Sequence, residues 1–125
     1  FQDVHLAWDV ILGDDMPVQI TSEVPPYVTL EIDGPTGAGV VVEADTGLFL
    51  SIPDGVADGS TLRIVTYPRR KSIRLDGAPA AGMLAFGSVL SPLALGQNLL
   101  SVTAPGSSTA TRLRLSWRGQ YRSLW

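Results

Sequence analysis

The sequence predicts an all-β protein, an antiparallel β-sandwich of about nine strands with little or no helix. Three observations carry that prediction. Short runs of alternating apolar and polar residues recur along the whole chain. The 13 glycines and 9 prolines lie between those runs, where they mark turns. No segment shows a 3.6-residue period with helix caps. A closed barrel fits the same pattern and is the alternative architecture.

The elements follow in order. Residues 4–12 read as a strand, Gly13-Asp14-Asp15 as a turn, and 16–23 as further extended chain. Val24-Pro25-Pro26 breaks the run, because proline lacks the donor a central ladder needs. Tyr27 to Asp33 alternates cleanly, with Val28, Leu30 and Ile32 inward. Gly34-Pro35-Thr36-Gly37 ends it, and Val40 to Glu43 is the next strand. Residues 46–77 read as a β-meander: a strand around Leu48, Leu50 and Ile52, a second at Leu62-Arg63-Ile64 and a third at Ile73-Arg74-Leu75. The turn PDGVADG and a closing Asp76-Gly77 bound it. Met83 to Phe86 reads as a short strand or half-turn, and residues 91–98 as a turn approaching a strand at Leu99 to Thr103. In the last strand Thr111, Leu113, Leu115 and Trp117 share one face; Ala110, Arg112, Arg114 and Ser116 share the other.

A chain of 125 residues suffices for one packed domain. Hydrophobic residues at 45% against 17% charged residues favour a globular fold over disorder. The absence of cysteine excludes disulfides and thiolate metal sites. No apolar run approaches the roughly 18 residues of a membrane span. The first residue is Phe1, not methionine. The expectation is one sandwich domain over residues 1–125, forming the C-terminal part of a longer chain.

Charge is unevenly spread. Residues 1–59 hold 11 of the 12 acids and no base, while residues 60–125 hold all 9 bases and one acid, Asp76. Two arrangements follow. Acidic strands can pair beside basic ones within a sheet. Alternatively, two opposed faces can suit head-to-tail packing of identical copies. Nucleic acid is not expected as a partner, since the net charge is −3 and the acidic half repels phosphate.

No constellation points to catalysis, a cofactor or a metal. A Ser-His-Asp triad would need His5, the single histidine, which sits in a predicted strand with no nucleophile elbow anywhere in the chain. Asp14-Asp15 and the pair Asp54 and Asp58 lie in turns, where aspartate is favoured for turn geometry. The string DGVADG lacks the spaced oxygens and terminal glutamate of a calcium loop. Residues 34–39 are glycine-rich, but no lysine follows to meet a phosphate. Trp8, Tyr27, Tyr67, Trp117, Tyr121 and Trp125 are core or contact residues, or else a sugar-stacking platform. Arg69-Arg70-Lys71 is a basic turn suited to an acidic neighbouring surface.

The order and spacing of Thr46-Gly47, Gly59, Leu62, Ile64, Tyr67-Pro68-Arg69, Asp76-Gly77, Leu95-Gly96-Gln97-Asn98 and Trp117-Arg118 resemble the C-terminal part of siphophage distal tail proteins and related minor tail proteins. The resemblance spans about residues 27–122. It implies a galectin-like, jelly-roll-type sandwich and a location in the virion tail. It implies a homo-oligomeric ring, typically a hexamer, at the end of the tail tube. The implied partners are the tube, the tail tip and the receptor-binding protein, with no enzyme activity and no membrane or nucleic acid. The candidate interface residues are Arg69, Arg70, Lys71, Tyr67, Trp117 and Tyr121. The alternative function is a carbohydrate-binding module for host-surface recognition. Two or more of Trp8, Tyr27, Tyr67 and Tyr121 coplanar on an exposed face would favour it.

Overall fold

The alternation in Tyr27 to Asp33 produces strand β3 (Val28–Asp33), which buries Leu30 and Ile32 and leaves Glu31 and Asp33 partly exposed. Two antiparallel strands flank it. Strand β10 (Arg112–Gly119) sets Leu115 opposite Leu30 and Leu113 opposite Ile32. Strand β6 (Thr61–Val65) sets Ile64 opposite Leu30 and Leu62 opposite Ile32. Two apolar rows therefore cross three strands, and all six side chains are fully buried. These rows fix the register, because a slip of one residue would turn every leucine and isoleucine to solvent.

The computed structural model describes the backbone of residues 2–9, 15–20, 25–108 and 110–119, and the side chains of 17–20, 25–108 and 110–117. Strands β1 (Gln2–Asp9), β7 (Ser72–Leu75) and β8 (Ala78–Pro79) extend the first sheet to six strands in the order β1-β10-β3-β6-β7-β8. A second sheet of four runs β2-β9-β4-β5, from β2 (Asp15–Ile20), β9 (Gly96–Thr103), β4 (Val40–Ala44) and β5 (Phe49–Ile52). Val18, Val42, Leu50, Ile52, Leu100 and Val102 point from it into the same core as Leu30 and Ile64. Two antiparallel sheets over one core make the expected β-sandwich. Among the described residues the only helical piece is a 3-10 turn at Ala81–Met83.

Several local expectations need correction. Residues 46–77 are not one meander. β5 belongs to the four-stranded sheet and β6 to the six-stranded one, so residues 53–60 cross between sheets. That link is too long for a tight hairpin, and Leu48, Leu50 and Ile52 supply the core from the opposite side. The true meander is β6-β7-β8. Its last turn is Asp76-Gly77 with φ of 50° and 85°, the positive pair that a two-residue type I′ hairpin requires. Met83 to Phe86 contains no strand. The 3-10 turn is followed by a hydrogen-bonded turn in which Ser88 N–H donates to Ala85 C=O, with Gly87 at φ 98°. β9 starts three residues before Leu99. Glycine and proline also occur within strands: Gly96 opens β9, and Pro17 and Pro79 lie in β2 and β8. Both prolines are on sheet edges, where a missing donor breaks no ladder. The outer edge of β5 is met by a backbone bridge from Val89 to Phe49.

The charge halves fold into an interleaved pattern on the six-stranded sheet. Acidic β3 lies between basic β10 and basic β6, with Glu31 in register between Arg114 and Arg63. Asp9 of β1 is opposite Arg112. Arg114 Nη2 is 2.8 Å from Asp33 Oδ1 and 3.6 Å from Glu31 Oε2, on a solvated face where each pair contributes about 0–1 kcal/mol. The strands of the four-stranded sheet contain no basic residue at all.

Candidate interaction surface

The linkage between β6 and β7 is a six-residue loop, 66–71, that carries three of the predicted contact residues in a row. Thr66 anchors it. This side chain is fully buried, accepts from Val28 N–H at 3.0 Å and donates to Val28 C=O at 2.8 Å. Thr66 N–H also donates to Val28 C=O. The hydroxyl therefore continues the β3–β6 ladder one residue beyond the strand. Tyr67 to Arg70 then form a turn closed by Arg70 N–H to Tyr67 C=O at 3.0 Å. Pro68 occupies the position whose φ proline presets. The Tyr67 ring rests 6.3 Å from that of Tyr27, tilted by 44°. Thr66→Val keeps the volume and removes both hydroxyl bonds. It is expected to cost about 1–3 kcal/mol, read as a lower urea midpoint with an unchanged slope.

On this mount Arg69, Arg70 and Lys71 are all exposed. None forms an ion pair among the described residues, where Arg114 supplies the ion pairs with β3. Three like charges are thus held side by side on a fixed turn. Tyr67 is half-buried beside them. Trp117, expected at an interface, is a core residue at 6% exposure, because β10 alternation sets it on the inward face with Leu113 and Leu115. Tyr121 lies outside the described residues, as do the side chains of His5, Trp8 and Trp125. The tilt of Tyr27 against Tyr67 makes an inclined pair, not a flat platform.

The opposite end of the sandwich is built differently. Three loops, 34–39, 53–60 and 104–111, are tied backbone to backbone. Gly34 N–H donates to Ser60 C=O, Thr36 N–H to Val56 C=O, Gly37 N–H to Pro105 C=O and Gly39 N–H to Pro53 C=O. The glycine-rich segment thus uses its amides inside the fold. Buried Thr111 adds an O–H donated to Pro35 C=O and accepts from Ser108 N–H at 2.9 Å. Asp54 and Asp58 project from this cluster, and Asp76 sits in the adjacent hairpin turn; all three are exposed. Those loops and that turn contain no basic residue. Asp76 Oδ1 accepts from Thr61 N–H at 2.9 Å, which holds the turn against β6.

A further exposed group was not singled out in the sequence. Phe86 is fully exposed, at 108% of its reference area, on the Ala85–Ser88 turn. The Ala-Phe-Gly-Ser string, with glycine where a type II turn needs positive φ, is the signal that marks it.

The Leu95-Gly96-Gln97-Asn98 segment has a physical role. Asn98 is fully buried; its Oδ1 accepts from Ala94 N–H at 3.0 Å and from Thr46 O–H at 2.6 Å, and its Nδ2 donates to Ala94 C=O at 2.9 Å. One amide therefore joins the approach to β9 to the β4–β5 turn. The residues that carry the family resemblance are thus turn formers and a buried clasp.

Comparison with known proteins agrees with this geometry. No curated protein and no solved structure matches the chain. A family model described as siphovirus-type tail component, C-terminal domain, matches residues 20–121. That stretch takes in the eight strands β3 to β10 whole, both ends of the sandwich and the Asn98 clasp. The chain therefore belongs to the siphovirus-type tail components and is a structural constituent of the virion tail.

Proposed function

We propose that the domain is an assembly module of the tail tip, a galectin-like sandwich. It acts within a ring-forming distal tail or minor tail protein and helps attach the adsorption apparatus to the tube. The observation that carries this reading is the basic turn Arg69-Arg70-Lys71: exposed, without ion-pair partners among the described residues, and fixed by Thr66. A rigid charged turn loses little entropy on docking and selects its partner by complementarity. Phe86 adds an apolar side chain of the kind that fills a partner's pocket at an interface. On this reading the protein acts through surfaces and performs no catalysis.

Charge reversal of Arg69, Arg70 and Lys71 to glutamate tests it. The triple variant is expected to fold with a thermal midpoint close to that of the parent, since surface changes of this kind lie within about 0.5 kcal/mol each. Its incorporation into tail tips is expected to fall, as counted by particle imaging with a tag on the chain. Full incorporation of the variant, or parent density along the tube instead of at its end, would refute the proposal.

A further inference from the structure

Strands β6 and β7 pair so that Arg63 stands directly opposite Arg74. Both side chains are exposed, while Leu62, Ile64, Ile73 and Leu75 of the same two strands pack on the core. Side chains so placed have Cβ atoms about 4.5–5.5 Å apart, and like charges in that position destabilise a sheet. The neighbouring strands do not relieve the pair. Among the described side chains of β3, β6, β7 and β10, four arginines (Arg63, Arg74, Arg112 and Arg114) share the outer face with two carboxylates, Glu31 and Asp33. Both carboxylates serve Arg114, with Asp33 Oδ1 at 2.8 Å and Glu31 Oε2 at 3.6 Å from its Nη2. Asp9 of β1 stands in register with Arg112. Asp76 lies in the hairpin turn after β7, where its Oδ1 accepts from Thr61 N–H. Neither Arg63 nor Arg74 forms an ion pair among the described residues. The excess of positive charge on this face therefore sits on β6 and β7. Arg74 Nη1 donates to Gly77 C=O at 3.0 Å, which steadies the charged side chain and leaves its remaining N–H groups to meet an acceptor.

We infer that Arg63 and Arg74 form a carboxylate-binding pair, which takes an acidic side chain from an extended segment of a partner protein laid across β6 and β7. This rests on the structural reading above and adds to it a second docking element with a defined ligand group. Two guanidinium groups offer several N–H donors in planar forks, the geometry that a carboxylate accepts from. The same face already uses carboxylates in this way, since two of them meet Arg114. The partner's negative charge would remove the repulsion between the two arginines, so binding and relief of strain act together. An exposed ion pair is weak by itself, so the site holds a carboxylate that belongs to a larger contact and not a free small anion. The surroundings suit such a contact. Thr61, Val65 and Ser72 are short and half-buried, and Pro79 lies flat at β8, so no large side chain bars an extended segment. The pair is separate from the basic turn, because Arg74 is three residues, about 10 Å, along the chain from Lys71.

NMR titration of the arginine Nε–H signals with hexaglutamate tests the inference, with inorganic phosphate as the comparison anion. At physiological salt, where charges about 10 Å apart are largely screened, the peptide is expected to move the Arg63 and Arg74 signals. Arg63→Gln/Arg74→Gln is expected to bind it about tenfold more weakly. Arg69→Gln/Arg70→Gln removes as many charges and is expected to bind within about twofold of the parent. Urea unfolding gives a second readout. Arg63→Gln is expected to raise the midpoint at low salt, because it removes a repulsion, and excess peptide is expected to raise the midpoint of the parent but not of the double variant. Lower midpoints for both Arg63→Gln and Arg74→Gln would show that the arginines serve the fold, and would overturn the inference. Phosphate bound as tightly as the peptide would overturn the assignment to a carboxylate, and Arg63 and Arg74 signals that move with the chain's own concentration would overturn the assignment to another protein. Peptide binding lost only in the turn variant would overturn this inference and leave the assembly role of the turn standing.

Discussion

Gly34→Ala is expected to be among the most destabilising single changes in the chain. A Cβ on Gly34 would lie 2.0 Å from the Ala57 carbonyl oxygen and 2.7 Å from that of Val56. Both obstacles are backbone, so no rotamer change relieves them. The clash would force loop 53–60 away from loop 34–39 and break the bonds from Gly34 to Ser60 and from Thr36 to Val56. Thr36 Oγ1 would also lose its 2.8 Å bond from Val56 N–H. The expected loss is about 3 kcal/mol or more, or roughly 10 °C in Tm for a domain of this size. Gly82→Ala is the control: nothing lies within 4 Å of its Cβ position. Its Tm is expected to match the parent's. A Gly34→Ala protein with parental Tm would show that the loop cluster tolerates separation.

Asn98→Ala is the second large effect, expected at about 2–4 kcal/mol. The substitution removes the shared acceptor and the donor of one buried amide. Ala94 N–H, Ala94 C=O and Thr46 O–H each lose their partner. Ala94 is only partly exposed, so water recovers little for its two backbone groups. Thr46→Val tests the division of labour. Thr46 is exposed, and losing its single bond is expected to cost less than about 1 kcal/mol. Urea unfolding distinguishes the two. Equal midpoints for Asn98→Ala and the parent would mean that the approach to β9 is held by buried Leu93 and its N–H bond to Pro26 C=O.

The fold was legible where a strand is half-buried. β3 and β10 place one apolar and one polar face on alternate residues, and that periodicity survives without any knowledge of neighbours. Pairing was less legible. β5 and β6 both alternate and are separated by Asp-Gly turns, yet they belong to different sheets. The number of residues between them, not their pattern, was the signal of a crossover. The basic turn was visible as three adjacent cations. Its acidic counterpart was not, because Asp54, Asp58 and Asp76 come together only when β7 folds back on β6. Trp117 shows the limit of residue type as a guide: an aromatic residue serves equally as core or contact, and it is alternation with Leu113 and Leu115 that sends it inward.

The edges of the two sheets bear on what kind of growth this domain permits. Pro17 lies in β2, Pro79 in β8, and Val89 bridges Phe49 on the outer edge of β5. An incoming chain that sought to add a strand would meet a missing donor or an occupied partner at three of the four borders. Chains crowded together are thereby steered away from fusing into continuous sheets. Side-chain contact at the loops needs no rebuilding of a backbone ladder, so a contact made there can release without unfolding either partner.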